Sequence, residues 1–310
     1  MQLLFYRLIA WLPFPLLYAA AWLAYLLLYH VFRYRRQVVA DNLRQAFPEL
    51  EEREVHALAR RFYRHLARVA FEILKAQRMT RDDFRERVTL ENPELLREYS
   101  NNFTESVIVL TIHQGNWEWM LHGATTALDI PIDPVYKPLH NEVVDKLIYD
   151  IRAQFGSRPL SMDASTRDIL KRRREVRIFV MVADQAPIRS ERSHWTAFMG
   201  REAAFYLGTE IIAKMTRFPV LFAQCHQQGT GRYSIEFHEV AKPPYDKESH
   251  EITEAYVREI ERAIRAEPHS WLWSNRRWKR DHAAEEARAE EEARAEAEAR
   301  DEKDSIAAGD

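Results

Sequence analysis

Cysteine is nearly absent. Cys225 is the only one in 310 residues, which excludes an intrachain disulfide and favours a reduced, cytosol-facing location. Glycine is scarce at 8 residues, arguing against a fold built on many glycine loops. No Ser or Cys occupies a nucleophile turn of the G-x-S-x-G kind. His122, His140 and His226 do not form a metal-ligand set, so neither metal nor cofactor is expected. No nucleic-acid-binding motif appears. Apolar residues are plentiful, at 46% with 12% aromatic, so a substantial core can form and global disorder is excluded. The length suits one good-sized domain with appendages, or two domains at most.

The formal net charge of −2 hides an asymmetry. The stretch 281–310 carries 12 acidic and 4 basic residues, a local charge of −8, which leaves +6 on the body. A mildly basic body suits an anionic membrane surface or acidic ligands. The run EEARAEEEARAEAEARDEKD from about Ala283 has no apolar stripe and reads as a solvated helix or disordered tail.

Leu8 to Phe32 holds no Asp, Glu, Lys or Arg, a run long enough for a membrane helix. It ends in Arg33-Tyr34-Arg35-Arg36, which fits a stop-transfer flank better than a cleaved signal peptide and places the rest of the chain in the cytoplasm. Pro13 and Pro15 weaken a straight span, so a helix lying in the interface is the alternative. The expected organisation is a membrane anchor over 1–32, a helical region over 33–90, an α/β domain over 91–280 and a charged tail over 281–310.

Within the helical region, 38–45 and 52–75 read as helices broken at Phe47-Pro48. Arg60, Arg61, Arg64 and Arg68 fall outside the second helix's apolar stripe and are read as a solvated face. Strands are expected at 106–112, 176–182, 219–224 and 233–239. Helices are expected at 117–127, 141–155, 166–173, 203–216 and 251–266. The alternation predicts an α/β fold, a mixed sheet flanked by helices.

The stretch most informative for chemistry is Thr111-Ile-His-Gln-Gly-Asn-Trp-Glu-Trp119. His113 falls where a buried strand ends, and Gly115-Asn116 permits a sharp turn into a helix. Glu118, in the first helical turn, is placed to fold back on the imidazole, fix its tautomer and stabilise its charged form. A His–carboxylate pair without a protein nucleophile suggests that the substrate's own hydroxyl attacks.

The HQGNWE sequence resembles the H-x4-D/E motif of the glycerolipid acyltransferases, and its GNWE version resembles the lipid A late acyltransferase branch. The resemblance extends through RYRRQVVADNLRQAFP, Val135-Tyr-Lys-Pro-Leu-His-Asn141, Ala183-Asp-Gln185, Phe198-Met-Gly200, Pro219-Val220 and the closing Trp271-Leu-Trp273 with Arg276-Arg-Trp-Lys279. Two features depart from it: Asn275 stands where the family usually has His, and the acidic tail has no counterpart.

The resemblance implies a glycerolipid-acyltransferase-like fold and an acyl thioester donor, usually acyl carrier protein. It also implies a glycolipid acceptor at the bacterial inner membrane, the alternative being the same chemistry on another acceptor such as a lysophospholipid or an aminolipid. His113 is then the general base and Glu118 its orienting partner. Asn116 is a candidate for the oxyanion with the N–H groups of Gly115–Trp117, or a helix cap. Lys137, Arg152 and Arg189 are candidates for anionic groups of lipid or phosphopantetheine. Asp184, at a strand end, binds substrate or caps a turn. Trp271, Trp273 and Trp278 with their basic neighbours read equally as an interfacial belt or as core. The different-class alternative is a non-catalytic membrane-anchored lipid-binding protein, disfavoured because His113 and Glu118 are both present.

Overall fold

A computed structural model describes residues 2–128, 130–285, 287 and 291. The helices are α1 (Gln2–Trp11), α2 (Phe14–Leu26), α3 (Arg36–Ala46), α4 (Glu52–Lys75), α5 (Arg81–Arg87), α6 (Pro93–Tyr99), α7 (Trp117–Ala127), α8 (Glu142–Ala153), α9 (Met162–Lys171), α10 (Gly208–Thr216) and α11 (Glu251–Ala266). The strands are β1 (Val88–Leu90), β2 (Val107–Thr111), β3 (Ile132–Tyr136), β4 (Leu160–Ser161), β5 (Ile178–Val182), β6 (Ser193–Phe198), β7 (Arg201–Tyr206), β8 (Val220–Gly229) and β9 (Arg232–Ala241).

Seven strands form one sheet in the order β1-β9-β8-β2-β5-β3-β4. The pairs are parallel except for β8–β9, an antiparallel hairpin. Central strand β2 is buried at every position, four apolar residues followed by Thr111, whose hydroxyl donates to the Ala223 carbonyl. The mixed sheet flanked by helices is the architecture that the alternating pattern predicts. Helices α3 and α4 share a core with the sheet: Val39, Leu43, Phe62 and Tyr63 pack in one cluster with Ile108, Leu110, Phe222 and Trp273.

Two expectations are corrected. The span 203–216 is not one helix. Its first residues form β7, which pairs with β6 through a turn at Met199 and Gly200, both at positive φ. Ala203 and Ala204 favour helix intrinsically, but the hairpin partner overrides that weak preference. The 8–32 apolar run breaks where the prolines weaken it: α1 ends at Trp11 and α2 begins after Pro13, because proline cannot continue a helix from its interior. Beyond Leu26 the helix loosens into a π-turn over Leu27–Val31. Among the described residues, Phe14–Val31 is the stretch long and apolar enough to cross a membrane, with a mean hydropathy of 1.5.

The second correction concerns the arginines of α4. Arg68 faces inward, where its Nη2 donates to the imidazole of buried His65 at 2.9 Å and to Gln227. Most of the acidic run after Ala283 lies outside the described residues.

Candidate active site

Strand β2 delivers His113 to the carboxyl edge of the sheet. Thr111 and Val182 are register partners on β2 and β5. Two residues beyond each stand His113 and Asp184, side by side. His113 Nδ1 lies 2.7 Å from Asp184 Oδ1, and the His113 backbone N–H donates to Asp184 Oδ2 at 3.1 Å. Asp184 Oδ2 also accepts from the Trp271 indole at 2.7 Å. Burial pushes the Asp184 carboxyl up, but His113 and these donors outweigh it and hold it below the usual carboxylate range. An ionised carboxylate only accepts, so Nδ1 carries a proton and Nε2 is the ring nitrogen able to present a lone pair.

Tyr256 of α11 fixes the two strand ends, donating to the Thr111 carbonyl at 2.7 Å and accepting from the Ala183 N–H at 3.2 Å. Arg277 is buried nearby, with its guanidinium against the rings of Phe198 and Phe205. Burial drives its pKa down to about 10 against the opposing pull of Asp184.

Glu118 occupies the first turn of α7, as expected, but its carboxylate binds elsewhere. Arg152, in the last turn of α8, donates to it through Nε at 2.9 Å and Nη2 at 2.5 Å, a bidentate pair. Burial raises the Glu118 carboxyl and the Arg152 charge and hydrogen bonds more than reverse this, so its pKa is lowered. The carboxylate hydrogen-bonded to His113 is therefore Asp184, not Glu118.

The turn between His113 and α7 is clamped from every side. The Gly115 N–H donates to the Ser270 carbonyl at 3.1 Å, and the Asn116 N–H to Cys225 Sγ at 3.4 Å. His65 Nε2 meets the Gly115 carbonyl at 3.1 Å. A side chain at position 115 would be doubly disfavoured, since φ is +60° and an added Cβ would stand 2.5 Å from Cys225 Sγ.

Asn116 is fully buried with both ends of its amide engaged. Oδ1 caps α7 by accepting from the Trp119 N–H at 3.0 Å, and Nδ2 donates to Glu72 Oε2 at 2.9 Å. That corrects its expected role as an oxyanion donor: the cap reading holds. Gly115 and Asn116 also have their N–H groups taken, so the expected donor set contracts toward the start of α7.

Beside the His113 turn an apolar cleft of about 70 Å³ runs between α7 and the sheet. Thr111, Trp117, Glu118, Arg152 and Val182 line one end, at the carboxyl ends of the strands. Leu96, Leu128, Ile132 and Ile178 line the other.

Lys137 and Arg189 lie outside this cleft, at the surface and in ion pairs with Glu191 and Glu285. Trp271 and Trp273 are core residues rather than an interfacial belt, at 2% and 0% exposure. At Asn275 the backbone carbonyl is used, accepting from Asn42. Among the described residues no three His, Cys, Asp or Glu side chains converge to hold a metal ion. Sequence reasoning missed the Trp271 indole as a partner of Asp184. The only signal was the closing W-x-W stretch, whose position in the fold cannot be read locally.

A hydrogen-bonded Asp–His pair can take a proton from a hydroxyl, and the adjoining cleft offers an almost wholly apolar lining. Comparison with curated proteins gives no match for the chain. The family profile described as bacterial lipid A biosynthesis acyltransferase matches residues 1–280. The protein is an acyltransferase and belongs to the bacterial lipid A biosynthesis acyltransferase family.

Proposed function

We propose that the protein moves a fatty acyl group from an acyl carrier protein thioester to a hydroxyl of a lipid A precursor, with His113 as general base. The observation that carries this reading is His113, held by Asp184 two residues beyond Thr111 and Val182, which line one end of the apolar cleft. The thioester carbonyl sits at the mouth and its chain runs along α7 toward Leu128 and Ile132. Nε2 of His113 takes the proton of the acceptor hydroxyl as its oxygen attacks the carbonyl carbon. Asp184 fixes the tautomer and stabilises the imidazolium. The tetrahedral intermediate then collapses with cleavage of the C–S bond, and the imidazolium returns its proton to the departing thiolate.

The oxyanion is held by the first N–H groups of α7, at Trp117 and Glu118, which lack intrahelical acceptors at a helix start. Glu118 acts through Arg152, holding the guanidinium at the mouth, where its remaining N–H groups face donor or acceptor. Lys137 and Arg189 are surface cations for the acidic carrier protein. The apolar N-terminal segment seats the protein on the bacterial inner membrane, with the catalytic body on the cytoplasmic side.

The test supplies purified protein with acyl carrier protein thioesters and a lipid A precursor, and reads acylated product by mass spectrometry. Transfer by wild type that falls at least about 100-fold in His113→Ala supports the reading. Transfer to a lysophospholipid but not to the lipid A precursor replaces the acceptor and keeps the chemistry. No transfer from any thioester overturns the reading.

A further inference from the structure

The apolar N-terminal segment is docked on the body along its whole length. Leu17, Ala21, Tyr25 and Tyr29, one helical turn apart, are 0–5% exposed against α4. Contacts step along the two helices in opposite directions. Lys75 Nζ donates to the Ala10 and Leu12 carbonyls at 3.0 and 2.9 Å. Tyr18 donates to Glu72 at 3.2 Å, the Tyr25 ring lies under Arg64, and Tyr29 meets Tyr63 with ring centroids 5.3 Å apart. Two helices side by side share one depth in any membrane.

From these contacts we infer that the segment lies flat in one leaflet, as a membrane-seating face, and does not cross the bilayer. Crossing would need the length of Phe14–Val31, about 27 Å at 1.5 Å per residue, to stand along the bilayer normal. Helix α4 would stand with it, carrying Arg60, Arg61, Arg64, Arg68 and Lys75 through the hydrocarbon. Each such cation costs about 2.5–3.5 kcal/mol at the bilayer centre. The sheet on the other side of α4 would have to follow.

The opposite face fits a leaflet. Leu8, Trp11, Trp22, Leu23, Val31 and Phe32 are 55–69% exposed, a large apolar strip on an otherwise ordinary surface. Guanidinium groups border it: Arg78 lies over the exposed Trp11 ring at 3.8 Å, and exposed Arg33 and Arg35 follow Phe32. Cations at the rim match anionic headgroups and would repel the same rim on a second copy of the chain. Through Tyr18, Glu72 and Asn116 the seated face is hydrogen-bonded to the cap of α7, which sets the site's height above the membrane.

This deepens the membrane part of the proposed function and is independent of its chemistry. The test places single spin labels at Leu16→Cys, Leu23→Cys and Val31→Cys in full-length protein on vesicles containing anionic phospholipid; native Cys225 is buried. Depth is read from relaxation by oxygen and by a water-soluble nickel chelate, with unchanged thermal unfolding as the check on folding. Equal shallow depths, about 5–10 Å below the headgroups, support the inference. Depths spread over about 20 Å, as 15 residues of a spanning helix require, overturn it. Labels shielded from both reagents also overturn it, because protein rather than lipid then covers the face. Depth is measured without turnover, so either failure leaves the acyl-transfer reading standing.

Discussion

His113 and Asp184 meet because Thr111 and Val182 are register partners on adjacent parallel strands, and each functional residue follows its partner by two positions. The 2.7 Å contact between Nδ1 and Oδ1 is thus set by the sheet rather than by a loop. A base held on rigid elements keeps its orientation without substrate.

The Glu118–Arg152 pair is buried and bidentate, so removing one partner strands a charge. Arg152→Ala is expected to lower unfolding free energy by about 3–5 kcal/mol, and Arg152→Lys to recover little because it cannot form the fork. The double variant Glu118→Leu with Arg152→Met should regain most of the stability. Chemical denaturation of the three variants checks this.

Asn116 serves two partners at once. Asn116→Asp keeps an acceptor for the Trp119 N–H but turns a carboxylate toward Glu72, whereas Asn116→Ser keeps an acceptor without the charge. The aspartate variant should be the less stable by about 1–3 kcal/mol, despite being the closer shape. Thermal unfolding at neutral pH ranks them.

His65 accepts at Nδ1 from Arg68, so Nε2 carries the proton and donates to Gly115. Burial, then Arg68 and His269, lower its pKa from 6.5 to about 3. The unfolded chain therefore binds a proton that the folded chain refuses between those values. Its contribution to stability is complete above about pH 6.5 and is lost as pH falls from there toward 3, by up to about 1.4 kcal/mol per unit. His122, lowered by burial to about 4, acts with the same sign. His65→Gln should unfold with a shallower pH dependence between 6.5 and 4, whatever its stability at neutral pH. Denaturant titrations across that range measure the slope.

Gly115→Ala places a methyl against Cys225 at a positive φ, and is expected to abolish transfer or folding. Cys225→Ala removes the sulfur and leaves the φ penalty, so the double variant should recover only part of the loss. Soluble yield and transfer rate together report it.

What was legible in the sequence was local. The strand-turn-helix around His113 follows from a predominantly apolar strand, Gly115-Asn116 and a helix start, each visible in consecutive residues. The Asp184 strand end was visible too, but not that β5 lies beside β2, so the nearer carboxylate in sequence, Glu118, looked like the partner. Arg152 was recognisable as a cation near the site, whereas its commitment to Glu118 depends on how α8 packs on α7. The β6–β7 hairpin escaped because Ala203-Ala204 favours helix locally and only the facing strand reverses that. Arg68 looked solvated because the apolar stripe of α4 does not reveal Gln227 of β8, the partner that receives it inside.

The most direct test of the site compares kcat and KM for acyl transfer by wild type, His113→Ala, Asp184→Asn and Glu118→Gln. With Asp184 as the partner of His113, Asp184→Asn should lower kcat by about 10²–10⁴-fold with little change in KM, because the imidazole loses its tautomer and its counter-charge. Glu118→Gln should show the milder effect, with part of the loss in KM through Arg152. A Glu118→Gln loss equal to that of His113→Ala, with Asp184→Asn near wild type, would contradict the account.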